Sequence, residues 1–203
     1  MYKVVIMKSF FTIVVFCFAL QNASAHSFSL VKDTLPYAEI PNNPEKYTPE
    51  TVMARMIDGV GFRYYWATEG LRKEDLAFRP SPKVRTSEET IDHILGLSTM
   101  IINALQQKAN TKSGEETSSL TFEVKRKQTL DNLKMASDML KNGKVTLDSI
   151  KIIMGKTELP AWNLINGPIE DAAWHIGQVV SFRRSSGNGF NGKVSVLTGK
   201  VRE

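Results

Sequence analysis

The stretch PIEDAAWHIGQVVSFRRSSGN, residues 168–188, has a residue spacing that predicts one helix with two chemically different faces. An α-helix rotates by about 100° per residue, and on that basis one face is aliphatic: Ile169, Ala172, Ala173, Ile176, Val179 and Val180. The opposite face carries a polar and aromatic stripe, which comprises Asp171, His175, Gln178 and Phe182, with Trp174 at its edge. A helix with one aliphatic face is expected to pack that face against a hydrophobic core.

The polar and aromatic stripe allows two interpretations. In the simpler one, the aliphatic face meets the core and the stripe faces water. However, the stripe contains no Lys, Arg or Glu, which are the usual residues of a solvated face, and it includes Phe182. We therefore expect another helix to cover the stripe. A covered Asp171 and His175 then need partners, because burying an unpaired carboxylate is very costly.

Three earlier segments also have helical periodicity, and their ends carry recognisable signals. Thr48 is a candidate N-cap, Thr86-Ser87-Glu88-Glu89 forms a capping box, and Gly143 is a plausible helix stop. The four predicted helices are Pro49 to about Gly70, Thr86 to roughly Gln107, about Ser119 to Lys141, and near Pro168 to near Ser186. Four such helices around one core predict an all-α fold, a four-helix bundle.

The regions between and around these helices are expected to be less regular. Residues 72–85 are predicted to form a loop, and Val145–Ile153 is either a short strand or irregular. The bundle is expected to occupy residues 48–188. An extended arm with three prolines precedes it at residues 26–47, and a glycine-rich surface tail follows at residues 189–203.

Residues 1–25 have the layout of a secretory signal peptide. Lys3 and Lys8 provide a positive start, an apolar run follows from Phe10 to Leu20, and Ala23-Ser24-Ala25 fits a cleavage site after Ala25. The apolar run is shorter than the roughly 20 residues that span a bilayer, so no membrane span is expected in the mature chain. Cys17 is the only cysteine. We therefore expect a secreted or periplasmic protein without disulfides or a cysteine nucleophile.

The charge pattern argues against nucleic acid as a partner. The full chain has a net charge of +5, but no basic stripe is interleaved with aromatic residues and no nucleic-acid-binding motif is present. A small molecule is a more plausible partner. A homodimer stays open, because helical bundles often pair, although no heptad pattern indicates one.

The histidines suggest a metal site. His93 lies on a nearly all-apolar helix, where it is either a core histidine bonded to a backbone carbonyl or one member of a cluster. Asp171 and His175 share a helical face because they are four residues apart. Two imidazoles and a carboxylate suit a zinc site with an open position, and also iron, nickel or manganese. His26 is either a further metal ligand or part of a free chain end.

Three segments of the sequence resemble the DinB-like superfamily, the DNA-damage-inducible four-helix bundles. These are TSEETIDHILGL at residues 86–97, LRKEDLAFRP at residues 71–80 and PIEDAAWHIGQVVSFRR at residues 168–184. The resemblance implies a metal bound in a groove of the bundle by three side chains, usually all histidine. His93 matches the first histidine and His175 the last, while Asp171 stands where the middle histidine is usual. The family name does not itself imply DNA binding.

Two functions follow as hypotheses. In the first, the protein is an exported metal-dependent hydrolase or transferase, in which Gln178 orients a ligand or a metal-bound histidine. Trp174, Trp66 and Phe182 would line the groove or serve as plain core aromatics, and Glu69 would be an acid or base or a surface residue. In the second, the bundle is not catalytic. Asp171 then accepts hydrogen bonds from the histidines, and the protein is a ligand-binding or interaction module of the cell envelope.

Overall fold

The computed structural model describes residues 35–110 and 117–203. The predicted signal peptide at residues 1–25, which includes Cys17, lies outside the described residues, as does His26. The first part of the predicted arm, residues 26–34, also lies outside them. Within the described ranges, no helix combines the length and the apolar character that crossing a bilayer requires.

The described chain is mostly helical, in agreement with the predicted all-α class. Its α-helices are α1 Pro49–Thr68, α2 Lys73–Ala77, α3 Ser87–Leu105, α4 Phe122–Lys141, α5 Trp162–Leu164 and α6 Glu170–Ser185. Two short antiparallel hairpins pair β1 Lys151–Met154 with β2 Thr157–Pro160, and β3 Val194–Ser195 with β4 Lys200–Val201. Short 3-10 turns cover Thr117–Ser119 and Leu147–Ser149.

The ends of the long helices confirm the end signals in the sequence. Thr48 caps α1 in a capping box, and Thr121 caps α4. At the start of α3, the N–H of Glu89 donates to Thr86 Oγ1 at 3.0 Å, and the N–H of Thr86 donates to Glu89 Oε2 at 2.7 Å. Gly143 follows α4 with φ +64°, the left-handed conformation that ends many helices. Local sequence therefore sets where these helices begin and end.

The hydrophobic core lies between the long helices. Both α1 and α3 pack against α4 and against α6. The aliphatic side chains with no exposed surface include Ile57, Ile91, Ile94, Ile101, Leu130, Leu133 and Val179. Each such side chain contributes about 1.5–3 kcal/mol of hydrophobic stabilisation. On the aliphatic face predicted for α6, Ala172, Ile176 and Val179 are buried, and Ala173 and Val180 are half-buried against the core. This packing directs the opposite stripe away from the core centre.

The last helix begins later than predicted. A π-helical turn covers Ile165–Ile169, and inside it Gly167 has φ −89° and ψ −110°, which is not a helical conformation. Pro168 follows with no N–H to donate. The regular helix therefore starts at Glu170 rather than near Pro168. The third predicted helix begins at Phe122 rather than at about Ser119, because Thr121 caps it.

The C-terminal residues differ from the expected extended tail. Their hairpin β3–β4 is joined to the arm, because the N–H of Ile40 donates to the carbonyl of Gly199 at 2.9 Å. Gly199 has φ +69°, and a Cβ there would lie 2.7 Å from Ile40. Within the arm, Tyr37 is buried and its hydroxyl donates to the buried Asp58 at 3.0 Å. The described part of the arm therefore packs on α1, and the tail is joined to the arm.

Candidate metal centre

His93, Asp171 and His175 converge at the contact between α3 and α6. Asp171 Oδ2 lies 3.2 Å from His93 Nε2, and Asp171 Oδ1 lies 3.3 Å from His175 Nε2. One donor atom from each residue lies within 4.8 Å of the other two. The pairing of Asp171 with His175 follows from their spacing on α6, whereas His93 joins them only because α3 packs on α6.

These distances suit a metal ion. Two donor atoms bound about 2.0–2.1 Å from a tetrahedral zinc ion lie about 3.3–3.4 Å from each other. The ring centroids of His93 and His175 are 4.6 Å apart and the ring planes meet at 89°, so the two imidazoles are arranged edge to face and are not stacked. Two imidazole nitrogens and one carboxylate oxygen are a donor set used by zinc, iron, nickel and manganese. The residues present therefore fit a divalent ion.

The three side chains are only partly buried. The side chain of Asp171 is 38% exposed, that of His93 32% and that of His175 15%. Partial burial lowers the pKa of His93 below its ordinary value, and the positive charge of Arg85 acts in the same direction. The hydrogen bond to Asp171 opposes this shift. The net downward shift favours the neutral form of His93, which is the form of imidazole that binds metals.

The contact with Gln178 bears on which nitrogen of His175 carries the proton. The Nδ1–H of His175 donates to Gln178 Oε1 at 2.8 Å, since an amide oxygen can only accept. A neutral imidazole has one N–H, so Nε2 of His175 then carries a lone pair. That lone pair faces the carboxylate of Asp171. Gln178, predicted to orient a ligand or a metal-bound histidine, thus lies where it orients His175.

A groove of about 440 Å³ opens beside His175. We call it the α6 groove. One wall is the stripe of α6 formed by His175, Gln178 and Phe182, and the other is the loop at residues 80–85. Phe182 packs against Phe78, with ring centroids 6.0 Å apart. Phe182 therefore lines the α6 groove.

The two tryptophans of the predicted groove lie elsewhere. Trp174 is 71% exposed, so the expectation that the whole stripe is covered is wrong at this residue. Trp66 donates its indole N–H to the carbonyl of Ala38 at 3.0 Å and thereby holds the arm. Glu69 forms an ion pair with Arg126, which suits its surface interpretation rather than an acid–base role.

The sequence patterns missed the basic residues next to the centre. Lys83 and Arg85 lie in the loop between α2 and α3 and line the α6 groove. Loop residues have no periodicity that would assign them to a face. The available signal was their position just before the capping box of α3, the helix that carries His93.

A scan against protein-family models gave no match, and neither did a search of curated proteins.

Proposed function

We propose that the protein binds one divalent metal ion through His93, Asp171 and His175, within a four-helix bundle of the DinB-like type. We further propose that it is an exported hydrolase or transferase that acts on a small molecule. The chain supports this with three convergent donor atoms, a groove beside them and four long helices packed on one another.

One contact carries the proposal. The carboxylate oxygen of Asp171 and Nε2 of His175 are 3.3 Å apart, and both are acceptors when His175 is neutral. Two acceptors at that distance repel each other unless a metal ion or a proton lies between them. By contrast, the contact of His93 needs no such cation, because a neutral His93 can donate its Nε2–H to Asp171. A metal ion would satisfy all three donor atoms together.

The side chains around the centre have distinct tasks. Asp171 supplies the negative charge that offsets part of a dication's charge, and Gln178 holds the ring of His175 in one orientation. The partial exposure of Asp171 and His93 leaves a side of the centre open to a ligand. A divalent ion bound there supplies Lewis-acid chemistry, the polarisation of an oxygen atom of substrate or water. The reaction class proposed, hydrolysis or group transfer, is the one that this chemistry serves.

Export is the part of the proposal that depends on residues 1–25. Their support is the basic start, the apolar run and the Ala-x-Ala sequence that ends at Ala25. Sequencing the N-terminus of the protein purified from its native host tests this directly. A mature chain that begins at His26 supports export, whereas a chain that retains Met1 or Met7 rejects it.

A second candidate function is favoured by the two contacts of Asp171. Asp171 approaches both histidines within hydrogen-bonding distance, so an imidazolium at His175 would complete a polar cluster with no metal. The bundle would then be a non-catalytic ligand-binding or interaction module of the cell envelope. The two candidates differ in what lies between Asp171 and His175, which is a proton of His175 in the polar cluster and a metal ion in the metal centre.

Metal retention separates the two candidates. The purified protein is loaded with zinc, iron, nickel or manganese, dialysed and analysed for metal. The proposal expects about one equivalent in the wild type and in His26→Ala, and less than about a tenth in His175→Ala. His26→Ala is the matched control because it removes the third histidine of the chain. A wild type that retains less than about a tenth of an equivalent of each metal would favour the polar cluster.

A further inference from the structure

The α6 groove carries an excess of positive charge. Lys83 and Arg85 line it, and both are exposed. Neither forms an ion pair with another described residue, whereas the nearby Arg79 is already paired with Glu89. In the described part of the chain, no acidic residue lines this groove. Two cations without acidic partners at a groove favour an anionic ligand.

The polar wall of the groove also presents hydrogen-bond donors. Gln178 uses its Oε1 to accept from His175, which leaves the amide NH₂ group to donate into the groove. An anion placed between the loop and α6 would therefore meet the ammonium of Lys83, the guanidinium of Arg85 and this amide. Charge-assisted hydrogen bonds of this kind are stronger than neutral ones.

The rest of the lining is apolar. Phe182, Val84 and Pro80 form that part of the groove, and Phe182 is held in place by its contact with Phe78. This combination suits a ligand with two chemical parts. A hydrocarbon or aromatic body would pack on Phe182 and Val84, while a charged group would lie near the basic loop.

We infer that the α6 groove binds a small organic anion, a carboxylate or phosphate-type group on an apolar body, as the substrate of the adjoining centre. This inference rests on the proposed function, because it identifies the substrate class of the same site. Lys83 and Arg85 are the specificity residues, and His175 joins the groove to the metal centre. An electrically neutral compound of the same shape binds more weakly, since it leaves both cations without a partner.

The test measures binding of phenylphosphonate to the full-length protein by calorimetry, before and after metal loading. The double variant Lys83→Gln/Arg85→Gln is expected to bind the probe about tenfold more weakly or worse. The control is Lys108→Gln/Lys156→Gln, which removes two exposed cations outside the groove and makes the same change in net charge. Control and wild type are expected to bind alike. Methylphosphonate is expected to bind less tightly than phenylphosphonate, because it lacks the apolar body.

The outcomes separate the two claims. Loss of probe binding in the groove variant alone, with metal content unchanged, supports both the inference and the proposed function. The groove inference is overturned if wild type, variant and control bind the probe equally, or if the metal-loaded wild type does not bind it. The proposed metal site is then judged from the metal-retention experiment alone. If the wild type retains no metal but probe binding still depends on Lys83 and Arg85, the proposed function fails and the anion groove remains.

Discussion

Nε2 of His175 lies 3.3 Å from Oδ1 of Asp171, while Nδ1 of the same ring donates to Gln178. A neutral His175 therefore directs a lone pair at a carboxylate, an arrangement that a cation stabilises. Because α3 brings His93 to the other oxygen of Asp171, a cation placed there would have three protein donors. The consequences of this arrangement can be measured by substitution.

Substitutions of Asp171 can separate the contribution of its negative charge to metal affinity from that of its shape. We expect Asp171→Asn to reduce metal affinity by more than about tenfold, because the amide keeps the shape but loses the anionic donor. Asp171→His is expected to retain metal, since a third imidazole is a good ligand in the same position. Equilibrium dialysis with zinc measures both. Unchanged affinity in Asp171→Asn would show that the carboxylate is not a ligand.

Gln178 is expected to influence the metal without binding it. Gln178→Leu removes the acceptor of the His175 Nδ1–H, so we expect zinc affinity to fall by about 10–100-fold. Gln178→Glu keeps an acceptor at that position and should preserve zinc affinity. The same variant places a carboxylate in the α6 groove and should weaken phenylphosphonate binding. Equal zinc affinity in Gln178→Leu and wild type would contradict the role given to this hydrogen bond.

Arg183 ties the end of α6 to the end of α1. It is 5% exposed, and its Nη1 donates to the carbonyls of Trp66, Ala67 and Glu69 at 3.0–3.1 Å. Arg183→Met would leave these carbonyls without their donor, and we expect the free energy of unfolding to fall by about 3 kcal/mol. Urea denaturation measures the change.

The neighbouring Arg184 provides the control for that experiment. It is exposed, and its guanidinium lies 5.8 Å from the ring centroid of Phe190. Arg184→Met is therefore expected to change stability by less than about 1 kcal/mol. Similar losses in Arg183→Met and Arg184→Met would mean that the carbonyl contacts of Arg183 have little energetic importance.

Asp75 makes stability depend on pH in the acid range. The Arg72 guanidinium holds the pKa of this buried carboxyl well below its usual range, and hydrogen bonds from Ser186 and Asn188 add to the effect. A carboxyl with a lowered pKa in the folded state stabilises the fold above its unfolded pKa of about 4. That stabilisation is progressively lost as the pH falls below about 4 toward the lower folded pKa.

The pH dependence predicts a specific difference between two variants. Asp75→Asn should flatten the fall in the free energy of unfolding below about pH 4, because the titrating group is gone. Asp148→Asn removes an exposed carboxyl and should leave the pH profile close to that of the wild type. Urea denaturation at a series of pH values measures both profiles. A profile of Asp75→Asn as steep as the wild type would show that the acid sensitivity arises elsewhere.

Two helical glycines should respond oppositely to a methyl group. A Cβ at Gly61 would lie 2.5 Å from the ring of Tyr37, so Gly61→Ala should destabilise the protein by about 1–3 kcal/mol. A Cβ at Gly96 would meet no atom within 4 Å, so Gly96→Ala should stabilise α3 by up to about 1 kcal/mol. Thermal denaturation compares them. Stabilisation by Gly61→Ala would refute the close packing of Tyr37 on α1.

Local patterns in the sequence predicted the parts of the structure that local forces determine. The capping box at Thr86 and the cap at Thr48 mark helix starts because their hydrogen bonds span only three residues. The four-residue spacing of Asp171 and His175 placed them on one face for the same reason. Contact with His93 depends on the packing of α3 on α6, a long-range relationship that was inferred from the scarcity of histidines.

The features that local patterns missed have physical reasons. The kink at Gly167 arises from one residue's dihedral angles, and helical periodicity does not report such a break. Trp174 lies at the edge of its stripe, where rotating the helix by a fraction of a turn decides whether a side chain is buried or exposed. Lys83 and Arg85 lie in a loop, which lacks the periodic spacing that assigns residues to a helix face. Only the folded chain therefore shows that they line the α6 groove.

The most direct test of the central claim is to locate the metal itself. Crystals of the zinc-loaded protein, measured on both sides of the zinc absorption edge, would show the ion as an anomalous-difference peak. We expect one strong peak among His93 Nε2, His175 Nε2 and the carboxylate of Asp171. A peak bound elsewhere, or zinc-loaded crystals with no peak between these three side chains, would contradict it.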